Sequence, residues 1–324
     1  MAYLGVDIES MKIAAEAIRE GKLVSFPTET VYGLGADAFN PEAVARIFQE
    51  KERPSFDPLI VHISDIAQLY KLSRSVSSVV LRLAEHFWPG PLTMVLPKQP
   101  EVHDIVTSGL DTVAVRMPNH PIALQLISLS GTVIAAPSAN KFGQLSPTHH
   151  RHVTKQLKGV DYVIQGGYTS VGIESSVVSV EEGRIQILRP GAVTAADIRA
   201  VLPEIEVVDF TKPVEDHLPS PGLLDSHYSP KKPLYITNSI GQFAGERFGY
   251  IAFSGDGAVE GPAVVRVLSK RGNYAEAATN LFGALHDMEE SDVDFIVAEP
   301  IKEEGIGIAI MDRLKKAAFK YKTE

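Results

Sequence analysis

Short apolar runs with a strand period alternate with amphipathic helical runs along most of this 324-residue chain, and one proline-rich stretch breaks the rhythm. Residues 23–26, 59–63, 92–96, 112–117, 132–136, 162–164, 177–180 and 185–188 read as strands, and residues 11–20, 41–50, 79–86 and 121–129 as helices. That alternation predicts a mixed, twisted α/β sheet with helices. Residues 212–233 then carry five prolines and little helical periodicity, which predicts a linker. Beyond it, strands at 234–237, 250–253, 264–267 and 295–298 alternate with helices around 274–288 and 308–320. The predicted layout is a large catalytic domain (1–208), a linker or lid (209–232) and a smaller, Rossmann-like α/β domain (233–324). The length suits two cores.

The absence of cysteine removes disulfides, cysteine-ligated zinc, iron–sulfur clusters and a thiol nucleophile, so any catalysis rests on oxygen, nitrogen or a bound ion. A net charge of −9 argues against a broad nonspecific nucleic-acid surface, although a local basic concavity fits inside an acidic total. No apolar run reaches the roughly 20 residues of a membrane span. The N-terminus also lacks a basic region followed by an apolar one, so the expected location is the cytoplasm, away from membranes.

Residues 23–63 gather small hydroxyls, a glycine-rich turn, a Lys-x-Arg pair and a strand histidine between apolar runs. An open α/β sheet places ligands at such strand ends. Asn40, Pro41 and Glu42 read as N-cap, first-turn proline and favourable acid of a helix that Pro54 stops. Lys51 and Arg53 then overhang the next loop, where they either complement the helix dipole or clamp a polyphosphate. Arg116 sits mid-strand in an apolar run, which demands a partner: a structural carboxylate or a ligand's. His62 poses the same choice between a backbone partner and a ligand. Ser138 and Asn140 read as turn formers or ligands, Ser146 before Pro147 as a helix N-cap, and the hydroxyls of residues 172–176 as neutral hydrogen-bonding groups.

The run Gly33-Leu34-Gly35 resembles a dinucleotide fingerprint, but it lies too far past the preceding strand and no helix follows until Pro41. His149, His150 and His152 read as solvated surface beside Arg151, and no metal site is expected. Residues 220–230 combine rigid turn residues with an aromatic, a histidine and hydroxyls, which suits either a stiff connector or a lid.

Taken in order, FPTETVYGLGADA, KxR…DPLIVHI, TVAVRMPNHP, APSANKFGQLSPT, GIESSVV, ILRPGAV, SPGLLDSHYSP and GIGIAIMDRLKKAA span nearly the whole chain. The chain thereby resembles the YrdC-type L-threonylcarbamoyladenylate synthases in their long, two-domain form. The resemblance implies a large YrdC-like sheet domain. It also implies synthesis of L-threonylcarbamoyladenylate from L-threonine, bicarbonate and ATP with pyrophosphate release, ATP being bound with Mg²⁺. The product would pass to downstream threonylcarbamoyl-transferase proteins for tRNA adenosine modification, with no stable nucleic-acid complex. It places threonine at Thr30, His62, Arg116, Ala136 and Ser176. It places ATP at Lys51, Arg53, Asp57, Thr112, Ser138, Asn140, Ser146 and Arg189, with His227 and Tyr228 reaching in from the linker. Lys51, Arg53 and Arg116 would carry the catalytic charge.

Two residues depart from the family's pattern: Asp57 where asparagine is usual, and Glu52 where glycine is common. A carboxylate beside a triphosphate is repulsive without a cation, so the expectation is that Mg²⁺ bridges Asp57 to ATP. The rival from another class is an RNA-binding protein using the same concavity. A carbamoyl-adenylate module of hydrogenase maturation is a second rival, set aside because it normally travels with zinc fingers and this chain has no cysteine.

Overall fold

A computed structural model describes residues 1–210 and 228–319. Most of the expected linker, His227 included, lies outside the described residues. The strands are β1 (Ala2–Leu4), β2 (Val24–Phe26), β3 (Gly33–Asp37), β4 (Ile60–His62), β5 (Leu92–Pro97), β6 (Thr112–Arg116), β7 (Ile134–Ala135), β8 (Tyr162–Ile164), β9 (Ser176–Glu181), β10 (Arg184–Arg189), β11 (Glu206–Val208), β12 (Leu234–Ile236), β13 (Phe248–Ala252), β14 (Val264–Val267) and β15 (Phe295–Ala298). The α-helices are α1 (Ile8–Arg19), α2 (Pro41–Lys51), α3 (Leu69–Leu72), α4 (Ser78–Phe87), α5 (Asp104–Thr107), α6 (Pro121–Ser130), α7 (His150–Gln156), α8 (Ala195–Val201), α9 (Tyr274–Glu290) and α10 (Ile306–Ala318).

An 11-stranded sheet runs β1-β8-β2-β3-β7-β4-β6-β5-β9-β10-β11, and a 4-stranded sheet runs β12-β15-β13-β14. The large sheet is mixed, with β4 parallel to β6 and antiparallel to β7, whereas every pair in the small sheet is parallel. Both match the α/β expectation. Helices α1 and α6 cover part of one face of the large sheet around Met11, Ile18 and Leu126, while Val44, Ile47 and Leu83 bury α2 and α4 in a second cluster.

Local chemistry explains the element ends. Asp7 caps α1 by accepting the Ser10 amide at 3.0 Å, so the helix begins earlier than its apolar period alone suggests. Asn40 caps α2 through the Ala43 amide at 3.0 Å, with Pro41 in the first turn. The end of α2 differs from expectation: Glu52 already turns the chain, at φ 54°, before Pro54 is reached. Glycine takes that left-handed conformation at less cost, which is the physical reason it suits this position.

The Gly33–Asp37 run is itself a strand, which its glycines concealed. A Cβ on Gly35 would lie 2.7 Å from Phe26 and 2.8 Å from Ile134, so the glycine permits close packing at the centre of the sheet. Gly172 does the same between domains, where a Cβ would lie 2.4 Å from the Thr279 backbone on α9. The domains share a core there: Val31, Leu145 and Ile173 cluster with Leu281, Phe282 and Leu314.

Candidate active site

Strand pairing puts the ends of β4 and β6 side by side, with His62 in register with Arg116. Beside them, β7 leads into Ala136, whose amide donates to Ile60 O at 2.9 Å, and Gly33 bridges Ser138. The result is a cleft that Thr30, His62, Arg116, Ala136, Arg53, Ser138, Arg189 and Tyr228 all line. Residues assigned by resemblance to threonine and to ATP thus meet in one concavity.

Arg116 has a structural carboxylate partner in Glu29 and also lines the cleft. It is buried with Nη2 2.6 Å from Glu29 Oε2, while Nε donates to Gly90 O at 3.2 Å and Nη1 to Thr30 Oγ1 at 2.9 Å. The guanidinium is held by these three partners and still lines the cleft, where a carboxylate could meet it. Thr28 Oγ1 lies 2.9 Å from Thr30 Oγ1 and donates to Val31 O at 2.7 Å, which fixes the loop that carries both. His62 is pushed down to about 3 by burial, with Arg116 adding to the effect, so its ring is neutral. Its Nδ1 has no close hydrogen-bond partner among the described residues, although the main chain of Ile60 and Ile134 lies near the ring and favours its charged form slightly.

The Lys-x-Arg pair is buried and does not overhang a loop. Lys51 Nζ donates to Ser138 O and Asn140 O, both at 2.5 Å, and is a strut beneath that loop; burial, then Arg53, pushes its pKa well down. Arg53 does line the cleft. Its Nε donates to Asp57 O at 3.0 Å and its Nη2 to Pro58 O at 2.8 Å, with the Asp57 carboxylate at 2.9 Å. Burial raises the Asp57 pKa against the pull of Arg53. The cation that offsets Asp57 is therefore Arg53, and a bridging Mg²⁺ is not needed to explain a carboxylate here. No group of three or more His, Asp or Glu side chains among the described residues could hold a metal ion.

Other expected residues sit behind the cleft wall. Ser176 Oγ donates to Val193 O at 2.5 Å and accepts from Val193 N at 3.1 Å, securing a neighbouring loop. Asn140 Nδ2 donates to Lys141 O and Gln144 O, both at 2.9 Å. Thr112, half-buried at the start of β6, lies four residues, roughly 13 Å, from Arg116 and does not line the cleft. Ser146 is not a helix cap: α7 begins at His150 and is capped by His149, and the Ser146 hydroxyl instead donates to Glu174. Of the three neighbouring histidines, His152 is buried and stacks on His286 of α9, ring centres 3.8 Å apart.

Sequence reasoning missed Thr28, Glu29, Glu174 and Arg313. Ser175 holds Arg189, which donates to its carbonyl and hydroxyl oxygens at 3.1 Å each. Glu174 lines the cleft, and one of its oxygens accepts Arg313 Nε of the small domain at 3.0 Å. Tyr228, at φ 60°, lines the cleft and packs on Phe282, with Ser229 pinned to Gly143 O at 2.8 Å. Three of the missed residues lie inside the FPTET and GIESS runs, beside residues the motifs had already singled out.

Two family models match the chain, one described as telomere recombination over residues 16–191, the other as the C-terminal domain of threonylcarbamoyl-AMP synthase over residues 193–319. The threonylcarbamoyl-AMP synthase of Pyrococcus abyssi is 43% identical, the match covering 95% of this chain and 94% of the relative. That of Bacillus subtilis is 42% identical over 94% and 92%. The crystal structure of P. abyssi Sua5 complexed with L-threonine superposes with a TM-score of 0.91 at 40% identity, covering 98% of each chain.

Proposed function

We propose, for a chain that belongs to the threonylcarbamoyl-AMP synthase family, that the shared cleft makes L-threonylcarbamoyladenylate from L-threonine, bicarbonate and ATP. The observation that carries this reading is the single cleft. Arg116, Thr30 and His62, read as the carboxylate-binding end, and Arg53, Ser138 and Arg189, read as the anion-binding end, line the same concavity.

Arg116 takes the threonine carboxylate, Thr30 and neutral His62 face its polar groups, and Ala136 leaves room for its side chain. Arg53 and Arg189 face the phosphates, and Lys51 positions the Ser138 loop. The amine of threonine attacks bicarbonate-derived CO₂ as a free base. A carbamate oxygen then bonds to the α-phosphorus as the bond to the β-phosphate oxygen breaks, and pyrophosphate leaves. No side chain forms a covalent bond. Both carbamate and mixed anhydride decompose in water, so positioning and water exclusion dominate over acid–base strength. ATP enters as its Mg²⁺ complex, and the positive charge of the cleft offsets charge on the leaving group. Product passes to transferase proteins that modify tRNA adenosine, in the cytoplasm. In this reading residues 1–208 and 233–324 are the two domains and 209–232 the linker, of which Tyr228 lines the cleft.

The RNA-binding rival gains nothing from the geometry. Arg53, Arg116 and Arg189 are all buried and offer no basic face to a phosphate backbone. Pyrophosphate release is expected to require threonine, bicarbonate and ATP together. Serine in place of threonine should lower kcat/KM by about 10–200-fold, the worth of one methyl group. Release that persists without threonine would defeat the proposal.

A further inference from the structure

One side chain of the small domain pairs directly with a charged residue of the cleft wall. Arg313, on α10, is fully buried, and its Nε donates to Glu174 Oε2 at 3.0 Å across 139 residues of chain. Its Nη1 donates to Pro190 O at 2.6 Å and to Asp312 Oδ2 at 3.0 Å, so the guanidinium is clamped on two sides. The other Glu174 oxygen accepts the Ser146 hydroxyl, and the Ser146 carbonyl is in turn 3.1 Å from His286 Nε2 on α9. Glu174 is thus held from both domains, and it faces the concavity that Arg53 and Arg189 also line.

A buried carboxylate on the wall of an anion-binding cleft is a liability unless a cation offsets it. Arg189, a second nearby guanidinium, donates to the main-chain and hydroxyl oxygens of Ser175 and also feels the Glu174 charge. Arg313 is in direct ion-pair contact with Glu174. We infer that Arg313 is a positioning residue for the nucleotide: by compensating and orienting Glu174, it lets the small domain complete the phosphate-binding half of the cleft. This rests on reading that half as the ATP site.

The test uses the full chain, with ATP and threonine affinities measured separately by titration, alongside steady-state pyrophosphate release. Arg313→Gln should weaken ATP binding about tenfold or more while threonine affinity stays within about twofold, because it strands a buried carboxylate beside the phosphates only. Arg313→Lys should restore most of the loss, and Glu174→Gln combined with Arg313→Gln should bind ATP better than Arg313→Gln alone. Glu174→Gln by itself, nearly the same shape, should hold or tighten ATP binding; it decides the matter if Arg313→Gln does not fold. Equal losses for both ligands, a fall in kcat alone, or weaker ATP binding in Glu174→Gln would each reduce Arg313 to a structural role and overturn the inference. Absence of threonine-dependent pyrophosphate release in the unaltered chain would instead count against the synthase reading, and the ATP titrations would still decide the role of Arg313.

Discussion

The turn between α2 and β4 and the seam between the two domains both set a buried arginine against a buried carboxylate, but they are built on different scales. In the turn, Arg53 meets Asp57 four residues away and also caps the carbonyls of Asp57 and Pro58. In the seam, Arg313 meets Glu174 across 139 residues, and His286 meets His152 between α9 and α7. The local pair forms with one stretch of backbone. The distant one exists only when both sheets are folded and docked, so it ties cleft geometry to the small domain.

Removing the local cation should have the largest effect. Arg53→Ala leaves Asp57 buried without its counterion and takes a charge from the cleft, so kcat/KM for ATP should fall by about 10²–10³-fold, with lower thermal stability. A loss smaller than tenfold would mean the turn is a structural device that the reaction does not feel.

The seam should show itself in acid. His286 is pushed down to about 4 by burial, with Lys155 adding to the fall and the Ser146 carbonyl and Asp287 opposing it. It stays neutral in the fold while the unfolded chain takes up a proton below its ordinary value of 6.5. Stability is therefore full above pH 6.5 and drains away as the pH falls toward about 4. His286→Phe should flatten that decline by as much as one proton, about 1.4 kcal/mol per pH unit, in melting curves taken across the window. An unchanged slope would place the acid sensitivity elsewhere, His62 in the cleft being the next candidate.

Two smaller effects sharpen the account of the turn. Asp57→Asn should tighten ATP binding by about two- to fivefold, since it removes negative charge and keeps an acceptor for Arg53. Weaker binding seen only with Mg²⁺ present would revive a metal bridge at Asp57. Glu52→Gly should raise stability by about 1 kcal/mol by relieving the left-handed residue, less the small contribution of its exposed pair with Lys141. A drop in melting temperature would show that this pair outweighs the backbone strain.

Legibility followed the same division. Period-two runs placed β4 and β6, and with them His62 and Arg116, because alternation encodes which side chains share a face. The Gly33–Asp37 strand was hidden because its small residues carry no strand propensity and serve close packing instead. Ser146 before Pro147 looked like a cap, yet α7 starts only at His150 and the Ser146 hydroxyl is taken by Glu174, a contact no local pattern announces.

The order of apolar periods, caps and turn residues by itself determined the α/β character of both domains and the course of α2, since those preferences act between neighbours a turn or a strand pair apart. Only the tertiary structure decided that Lys51 is a strut while Arg53 faces the cleft, that Glu29 backs Arg116, and that Arg313 reaches Glu174. Those outcomes depend on how sheets stack and domains dock, and burial then dictates that each charge so enclosed must find a partner wherever the chain supplies one.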